Sequence, residues 1–173
     1  MSTTITVSRY PSPIGPLSLA TVNGKLVHLD FDGNDQRMHT LQTRRFRDAQ
    51  WQEQLQSAPE AITQWLEAYF AGVFQPLPWN DLQLTGTDFQ QQVWQGLTGI
   101  PTGKPCSYRA LAETLGNPRA VRAVARANAL NPVAILIPCH RVIGADGTLT
   151  GYAGGLERKA WLLDHEAESL KAV

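Results

Sequence analysis

Cys139 is the residue of this chain best suited to chemistry, because its neighbours favour a reactive thiol. It follows the apolar run 133–137, where we expect a buried strand to emerge, and Pro138 restricts the backbone that carries the thiol. His140 and Arg141 supply basic groups beside it, and such groups favour the thiolate, which is the nucleophilic form of cysteine. The alternative is a cysteine that only packs in the core, which is the commoner role. Local chemistry leaves both interpretations open.

Two further residues bear on how Cys139 could work. Glu166 could orient His140, in the usual order of nucleophile, base and orienting group. The alternative for Glu166 is an ordinary surface carboxylate near the end of a helix. Cys106 has the cationic neighbour Lys104 but no evident base, so we expect it to be structural. Two cysteines are too few for a cysteine-rich zinc site, and the sequence predicts no metal site.

A helix-turn-helix is predicted upstream of the candidate nucleophile. Ser107 could cap a short helix over residues 108–115. Gly116-Asn117-Pro118 is a compact turn in which the proline suits the first helical position. Residues 119–130, rich in alanine and arginine, then form the second helix. Helix, short glycine turn and helix is a known DNA-binding pattern, although many helical hairpins bind nothing.

Positive charge is concentrated around this motif. Residues 1–83 carry a net charge of −2, whereas residues 104–141 carry six Lys or Arg against the single acid Glu113. Arg122 and Arg126 lie four apart on one helix face. The basic residues could face phosphates, or they could be an ordinary solvated helix face. The small alanines could allow close approach to a narrow groove, or they could allow close packing against another helix in the core. The sequence alone does not separate these alternatives.

The first third of the chain alternates as β-strands do. The predicted strands are residues 5–10, 17–22 and 25–31, and Asn23-Gly24 is a hairpin signal between the last two. Three further helices are predicted. One spans residues 59–71, one begins after a cap at Thr87 or Asp88, and one spans residues 156–166. The fold class is therefore α/β (α+β). We expect a small N-terminal α/β domain at residues 1–75, a linker at 76–86 and a mostly helical C-terminal domain at 87–173.

Composition narrows the class of protein. Hydrophobic residues make up 43% of the 173 residues and charged residues 17%, which favours a folded core over disorder. No apolar run approaches the roughly 20 residues of a membrane span, and the N-terminus lacks the features of a secretory signal. With only two cysteines, the sequence predicts a reduced, cytoplasmic protein.

The segments around the helix-turn-helix and Cys139 form an ordered set across residues 86–167. They are Phe89-x-x-x-Val93-Trp94, Ser107-Tyr108, Gly116-Asn117-Pro118, Arg122-Ala123-Val124, Asn131-Pro132-Val133, Pro138-Cys139-His140-Arg141-Val142, Tyr152-x-Gly154-Gly155 and Trp161-Leu162-Leu163-x-x-Glu166. In order and spacing this set resembles the O6-alkylguanine-DNA alkyltransferases, also called methylated-DNA–protein-cysteine methyltransferases. Residues 12–17 extend the resemblance more loosely to the N-terminal part.

The resemblance implies a role for each matched position. Cys139 would accept the alkyl group, His140 would act as a base through a bound water, and Glu166 would orient His140. Asn131 would brace the turn that carries the acceptor. Tyr108 would lie near the flipped base and its 3′ phosphate, and would help to protonate guanine N3 as O6 leaves.

The same resemblance implies how DNA would be held. The second helix would lie in the minor groove, and Arg122 would fill the gap left by the flipped nucleotide. The other implied DNA-binding residues are Ser107, Tyr108, Arg109, Asn117, Ala123 and Arg126, and the implied substrate pocket is Pro138, Val142, Tyr152 and Ala153. Ala153 stands where some relatives carry serine and Arg109 where some carry glutamine. The N-terminal cysteines that bind zinc in some relatives are absent here.

The implied activity is one irreversible transfer per molecule from O6-alkylguanine in double-stranded DNA, without cofactor or metal. O4-alkylthymine is a second candidate substrate. We expect a monomer that associates with the nucleoid when bound to DNA, with cooperative binding as an alternative. Two rival functions are a non-catalytic alkylated-DNA-binding protein and a cysteine hydrolase that uses Cys139 and His140.

Overall fold

A computed structural model describes residues 3–172, which divide between Thr85 and Gly86 into two compact units. The predicted α+β class is confirmed, because the first unit contains the main sheet and the second is mostly helical. Within residues 3–172, no helix is long and apolar enough to cross a membrane.

The first unit is built on a four-stranded sheet with strand order β3-β2-β1-β4. Its strands are β1 (Thr4–Tyr10), β2 (Leu17–Val22), β3 (Lys25–Phe31) and β4 (Gln50–Glu53). The three predicted strands are confirmed and pair antiparallel. Asn23 and Gly24 have φ values of 51° and 78°, the left-handed conformation that a two-residue hairpin turn requires. The predicted hairpin is therefore confirmed.

Two elements of this unit have no counterpart among the predicted ones. Helix α1 (Asp35–Arg45) is mostly polar and buries only Met38 and Gln42, so it lacks the apolar periodicity that identifies a helix. Strand β4 is a short polar edge strand that runs parallel to β1. The predicted helix at 59–71 is present as α2 (Glu60–Phe70).

The residues predicted as a linker, 76–86, contain ordered contacts. A 3₁₀ turn spans Trp79–Asp81, and the backbone N–H of Gln83 donates to the carbonyl of Leu26 on β3 over 2.9 Å. Leu82 is buried. This segment therefore packs against the sheet of the first unit.

The second unit contains the predicted helices with shifted ends. They are α3 (Asp88–Thr98), α4 (Tyr108–Thr114), α5 (Val121–Ala129) and α6 (Leu156–Lys171). Thr87 caps α3 in a capping box with Gln90, and the Ser107 hydroxyl caps α4 by accepting from the Ala110 N–H. Gly116, with φ of 76°, ends the first helix of the helix-turn-helix.

Two predicted details of these helices are wrong. Pro118 is not the first residue of α5, which begins at Val121, because residues 117–120 form a separate turn closed by the Ala120 N–H and the Asn117 carbonyl. Helix α6 continues five residues beyond the predicted end, to Lys171.

The apolar run before Cys139 is a buried turn and not the expected strand. Ile135 has a φ of 73°, which takes the backbone out of the extended conformation. The N–H of Ile137 then donates back to the carbonyl of Val133 over 3.1 Å. β5 (Cys106–Ser107) and β6 (Val142–Ile143) pair in parallel, and β6 directly follows Arg141. Cys139 therefore lies between a tight turn and a short strand.

Candidate active site

Cys139 begins a buried 3₁₀ turn, Cys139–Arg141, that we call the acceptor turn. The Cys139 side chain is a thiol with 6% of its residue surface exposed. Asn131 holds the preceding backbone from two sides. Its side-chain amide donates to the carbonyl of Ile137 over 2.7 Å, and its oxygen accepts from the N–H of Val133 over 3.0 Å. Hydrogen bonds from the Asn131 side chain therefore hold the backbone that leads to the thiol.

A buried carboxylate on α6 faces the acceptor turn. Glu166 Oε2 lies 2.6 Å from His140 Nε2, and both side chains are fully buried. The Arg141 guanidinium donates to both oxygens of Glu166, over 2.8 Å from Nε and 3.1 Å from Nη2, and also to the carbonyl of Ile100. The surface position considered for Glu166 is therefore wrong. Arg141 directs its donors at Glu166 and Ile100, whereas the sequence suggested a direct effect on the thiol.

The electrostatics of this pair define the state of His140. Burial alone would raise the pKa of Glu166, but the hydrogen bond from His140 and the guanidinium of Arg141 lower that pKa to about 2. Burial lowers the pKa of His140, and the carboxylate only partly offsets this effect. His140 is therefore neutral, with its proton on Nε2 toward Glu166. Nδ1 is buried and bonds to none of the residues 3–172, so its lone pair can act as a base.

Lys159 is a site residue that sequence reasoning missed. It lies seven residues before Glu166, and together with Leu162 these two form the buried face of α6. The Lys159 ammonium donates to the carbonyls of Val142, over 2.6 Å, and Thr150, over 3.1 Å. The i, i+7 spacing from Glu166 was the available signal, because it places both residues on one helix face.

The predicted pocket residues differ in their burial. Pro138 and Val142 are buried beside Cys139, Tyr152 is half-buried, and Ala153 is exposed in the loop before α6. Tyr108, the first residue of α4, accepts a hydrogen bond from the Thr150 hydroxyl over 3.3 Å. Tyr108 therefore contacts the loop before α6, and Lys159 donates a hydrogen bond to the same loop.

The predicted DNA-binding residues are mostly exposed. Helix α5 buries Val124, Ala127 and Asn128, and the carbonyl of Ala127 accepts from the indole of Trp94 over 2.9 Å. Packing in the core therefore explains one face of the alanine-rich helix. The exposed side chains are Arg109, Asn117, Arg122, Ala123 and Arg126, whereas the Ser107 hydroxyl is used as a helix cap. Within residues 3–172, neither Arg122 nor Arg126 forms an ion pair, and both remain available to a partner.

Across the described part of the chain, no three His, Cys, Asp or Glu side chains are grouped so that they could hold a metal ion.

Folding stability should fall as the pH drops from about 4.5 toward 2, because the folded pKa of Glu166 is about 2 and the unfolded value is near 4.5. The stabilisation is complete above the unfolded pKa and is lost as the pH falls through the folded one. It amounts to on the order of 3 kcal/mol. The free energy of unfolding, measured with urea at several pH values in this window, should depend less steeply on pH in Glu166→Gln than in the unaltered chain. An equally steep pH dependence in both proteins would contradict the attribution of this stability to Glu166.

Comparison with known proteins places this site in a family. The family model "6-O-methylguanine DNA methyltransferase, DNA binding domain" matches residues 88–168, and the model for the ribonuclease-like domain of the same enzyme matches residues 5–93. A methylated-DNA–protein-cysteine methyltransferase of Methanosarcina barkeri is 47% identical over 92% of this chain and 96% of its own length. One from Salmonella typhimurium is 41% identical over 91% and 93%.

A solved structure agrees with these matches. Mycobacterium tuberculosis OGT, crystallised in complex with DNA, is 42% identical and superposes with a TM-score of 0.80, covering 95% of this chain and 94% of that one. The resemblance deduced from the motifs is thereby confirmed across both units. The chain belongs to the methylated-DNA–protein-cysteine methyltransferase family.

Proposed function

We propose that this protein repairs DNA by direct reversal, moving the alkyl group of O6-alkylguanine onto Cys139. The observation that carries the proposal is the buried His140–Glu166 pair directly after Cys139, which leaves Nδ1 of His140 without a hydrogen bond to residues 3–172 and so able to accept the thiol proton. The names of the relatives, which are methylated-DNA–protein-cysteine methyltransferases, support the same activity. They also disfavour a non-catalytic binder, as does the presence of Cys139 itself.

The chemistry balances with the groups in place. The thiol proton of Cys139 passes through a bound water to Nδ1 of His140, and the resulting imidazolium is stabilised by Glu166. The thiolate attacks the alkyl carbon, so that the S–C bond forms as the C–O6 bond breaks. The electron pair of that bond goes to guanine, Tyr108 supplies a proton at N3, and the proton taken up by His140 is returned through solvent to the Tyr108 phenolate. The product is a thioether, which thiol exchange cannot reverse, so each molecule reacts once.

Double-stranded DNA is the proposed partner, bound by one copy of the protein. The match to the DNA-binding domain model and the exposed arginines of α5 support this choice. Since the damaged base is out of reach within the stack, it must be flipped out, at a cost of a few kcal/mol. Arg122 fills the resulting gap, and the surrounding basic residues contact phosphates. We place the reaction in the cytoplasm, on the nucleoid.

The direct test is a stoichiometric assay with duplex DNA containing O6-methylguanine. We expect each protein molecule to remove one methyl group and then to stop. Removal of many methyl groups per molecule would overturn the proposal. Hydrolysis of an ester or amide in repeated turnovers without DNA would favour a cysteine hydrolase instead.

Arg122→Ala should slow repair of duplex DNA by about tenfold, equivalent to about 1.4 kcal/mol, because the variant loses the side chain that occupies the gap after flipping. Reaction with the free base O6-benzylguanine needs no flipping and should change little. Rate measurements on both substrates test this. Arg44→Ala, which removes an exposed arginine of α1, is the control and should behave like the unaltered protein. Equal losses on both substrates would show that Arg122 serves folding.

A further inference from the structure

Lys159 is a fully buried lysine, which is unusual because burying an ammonium group is costly unless its charge is compensated. Its two hydrogen-bond acceptors are the backbone carbonyls of Val142 and Thr150. No carboxylate within residues 3–172 forms an ion pair with it. The buried cation therefore has polar contacts but no acidic partner of its own.

The other charges of the site are already matched. Glu166 is the buried acid on the same helix face, and its carboxylate oxygens are engaged by Arg141 and His140. His140 is neutral because burial lowers its pKa. With Glu166 balancing Arg141, the ammonium of Lys159 leaves the buried site with one excess positive charge. A thiolate at Cys139 would bring the site to neutrality.

The structure also places Lys159 next to the segment that carries Cys139, because α6 packs against the acceptor turn and the ammonium bonds to Val142, three residues after Cys139. Burial lowers the pKa of Lys159, and the negative charge of the Cys139 thiolate acts in the opposite direction. The two carbonyl contacts tie the ammonium to β6, directly after the acceptor turn, and to the loop before α6. The cation is therefore held at a fixed place beside the turn.

We propose that Lys159 is a positioning residue whose ammonium group is the fixed counter-ion of the Cys139 thiolate. It acts with the His140–Glu166 pair. His140 removes the thiol proton, and Lys159 stabilises the charge that remains on sulfur until the alkyl carbon is attacked. The inference rests on the proposed function, in which Cys139 is the acceptor.

The test follows the rate of Cys139 alkylation by iodoacetamide against pH. In that reaction the thiolate forms an S–C bond and iodide leaves with its electron pair. The titratable and charged groups on the acceptor turn and on the elements packed around it are Arg141 and His140 on the turn, Lys159 and Glu166 on α6, Cys106 on β5 and Tyr108 on α4. Lys159→Met and Lys159→Gln should move the midpoint of the profile upward by about one pH unit and slow the reaction at pH 7 about tenfold.

Charge and hydrogen bonding are separated by the choice of variant. Lys159→Gln keeps a donor for the carbonyls but loses the charge, whereas Lys159→Arg keeps the charge and should retain the original midpoint. Lys171→Gln removes an exposed lysine of the same helix and should change nothing. Cys106, the second thiol, is an internal control whose rate should stay constant. An unshifted midpoint in both Lys159→Gln and Lys159→Met, whatever their absolute rates, would overturn the proposal.

A second measurement uses the unaltered chain, in case the variants fold poorly. The titration of Lys159 is followed by NMR with carbon-13-labelled lysine before and after Cys139 is alkylated. The ammonium should lose its proton at lower pH afterwards, because the thioether is neutral. An unchanged titration would overturn the proposal. Neither experiment involves DNA, so a failure of methyl transfer from DNA would count against the proposed function and leave the role of Lys159 to be judged separately.

Discussion

Replacing Cys139 with serine should abolish alkyl transfer and leave binding to alkylated duplex DNA within a factor of about two. The serine hydroxyl is almost the same size as the thiol, but it holds its proton far more tightly and is a poor nucleophile at neutral pH. Mass spectrometry of the protein after incubation with O6-methylguanine DNA should show the added mass of one methyl group on the unaltered chain and none on Cys139→Ser. The effect is a complete loss because the described acceptor turn offers no second thiol.

Cys106 provides the matched control for this experiment. It lies on β5, is half-buried, and burial raises the pKa of its thiol, so it is less ready to ionise at neutral pH. Cys106→Ser should therefore retain one transfer per molecule. A methyl group found on Cys106, or on any residue of Cys139→Ser, would show that the acceptor has been wrongly assigned.

Glu166→Leu should cost about 3–5 kcal/mol of folding free energy at neutral pH. The substitution leaves the Arg141 guanidinium buried without its carboxylate, and breaking a buried ion pair from one side has a penalty of this size. The excess charge of Lys159 adds to the effect. Urea unfolding monitored by tryptophan fluorescence measures the loss, and transfer should fall with it because His140 is no longer oriented.

Two controls separate this effect from a general sensitivity of α6. Glu168→Leu changes an exposed acid on the same helix and should alter stability by no more than about 0.5 kcal/mol. The double variant Arg141→Leu/Glu166→Leu removes both charges and should recover much of the stability. A single Glu166→Leu variant as stable as Glu168→Leu would contradict the buried ion pair.

The features that could be predicted from sequence are those with local physical causes. Asn23-Gly24 determines its own turn, and Thr87 and Ser107 cap helices through bonds to residues three positions away. Helix α1 escaped prediction because it buries only two residues, and strand β4 because it is a short, mostly exposed edge strand that depends on pairing with β1. Ile135 adopts its left-handed φ against its own preference, held by the turn around it.

The candidate site also combines features that could be predicted from sequence with features that depend on tertiary packing. The family resemblance identified Cys139, His140 and Glu166 as a set, and the structure brings the last two within 2.6 Å of each other. The sequence could not assign the partners of Arg141 and Lys159. Arg141 lies two residues from Cys139 in the chain but bonds to Glu166, whereas Lys159 is 20 residues from Cys139 and bonds to the carbonyl of Val142 directly after the acceptor turn. Charge pairing across a buried site depends on tertiary packing, which adjacency does not encode.

Both buried charges on the inner face of α6 come from a helix that follows the acceptor turn in the chain. Cys139 therefore precedes Lys159 and Glu166 during synthesis and emerges from the ribosome ahead of them. A chain in which α6 has not yet docked holds its thiol without the carboxylate that bonds to His140. Docking of the last described helix is thus the step that completes the buried site around the acceptor turn.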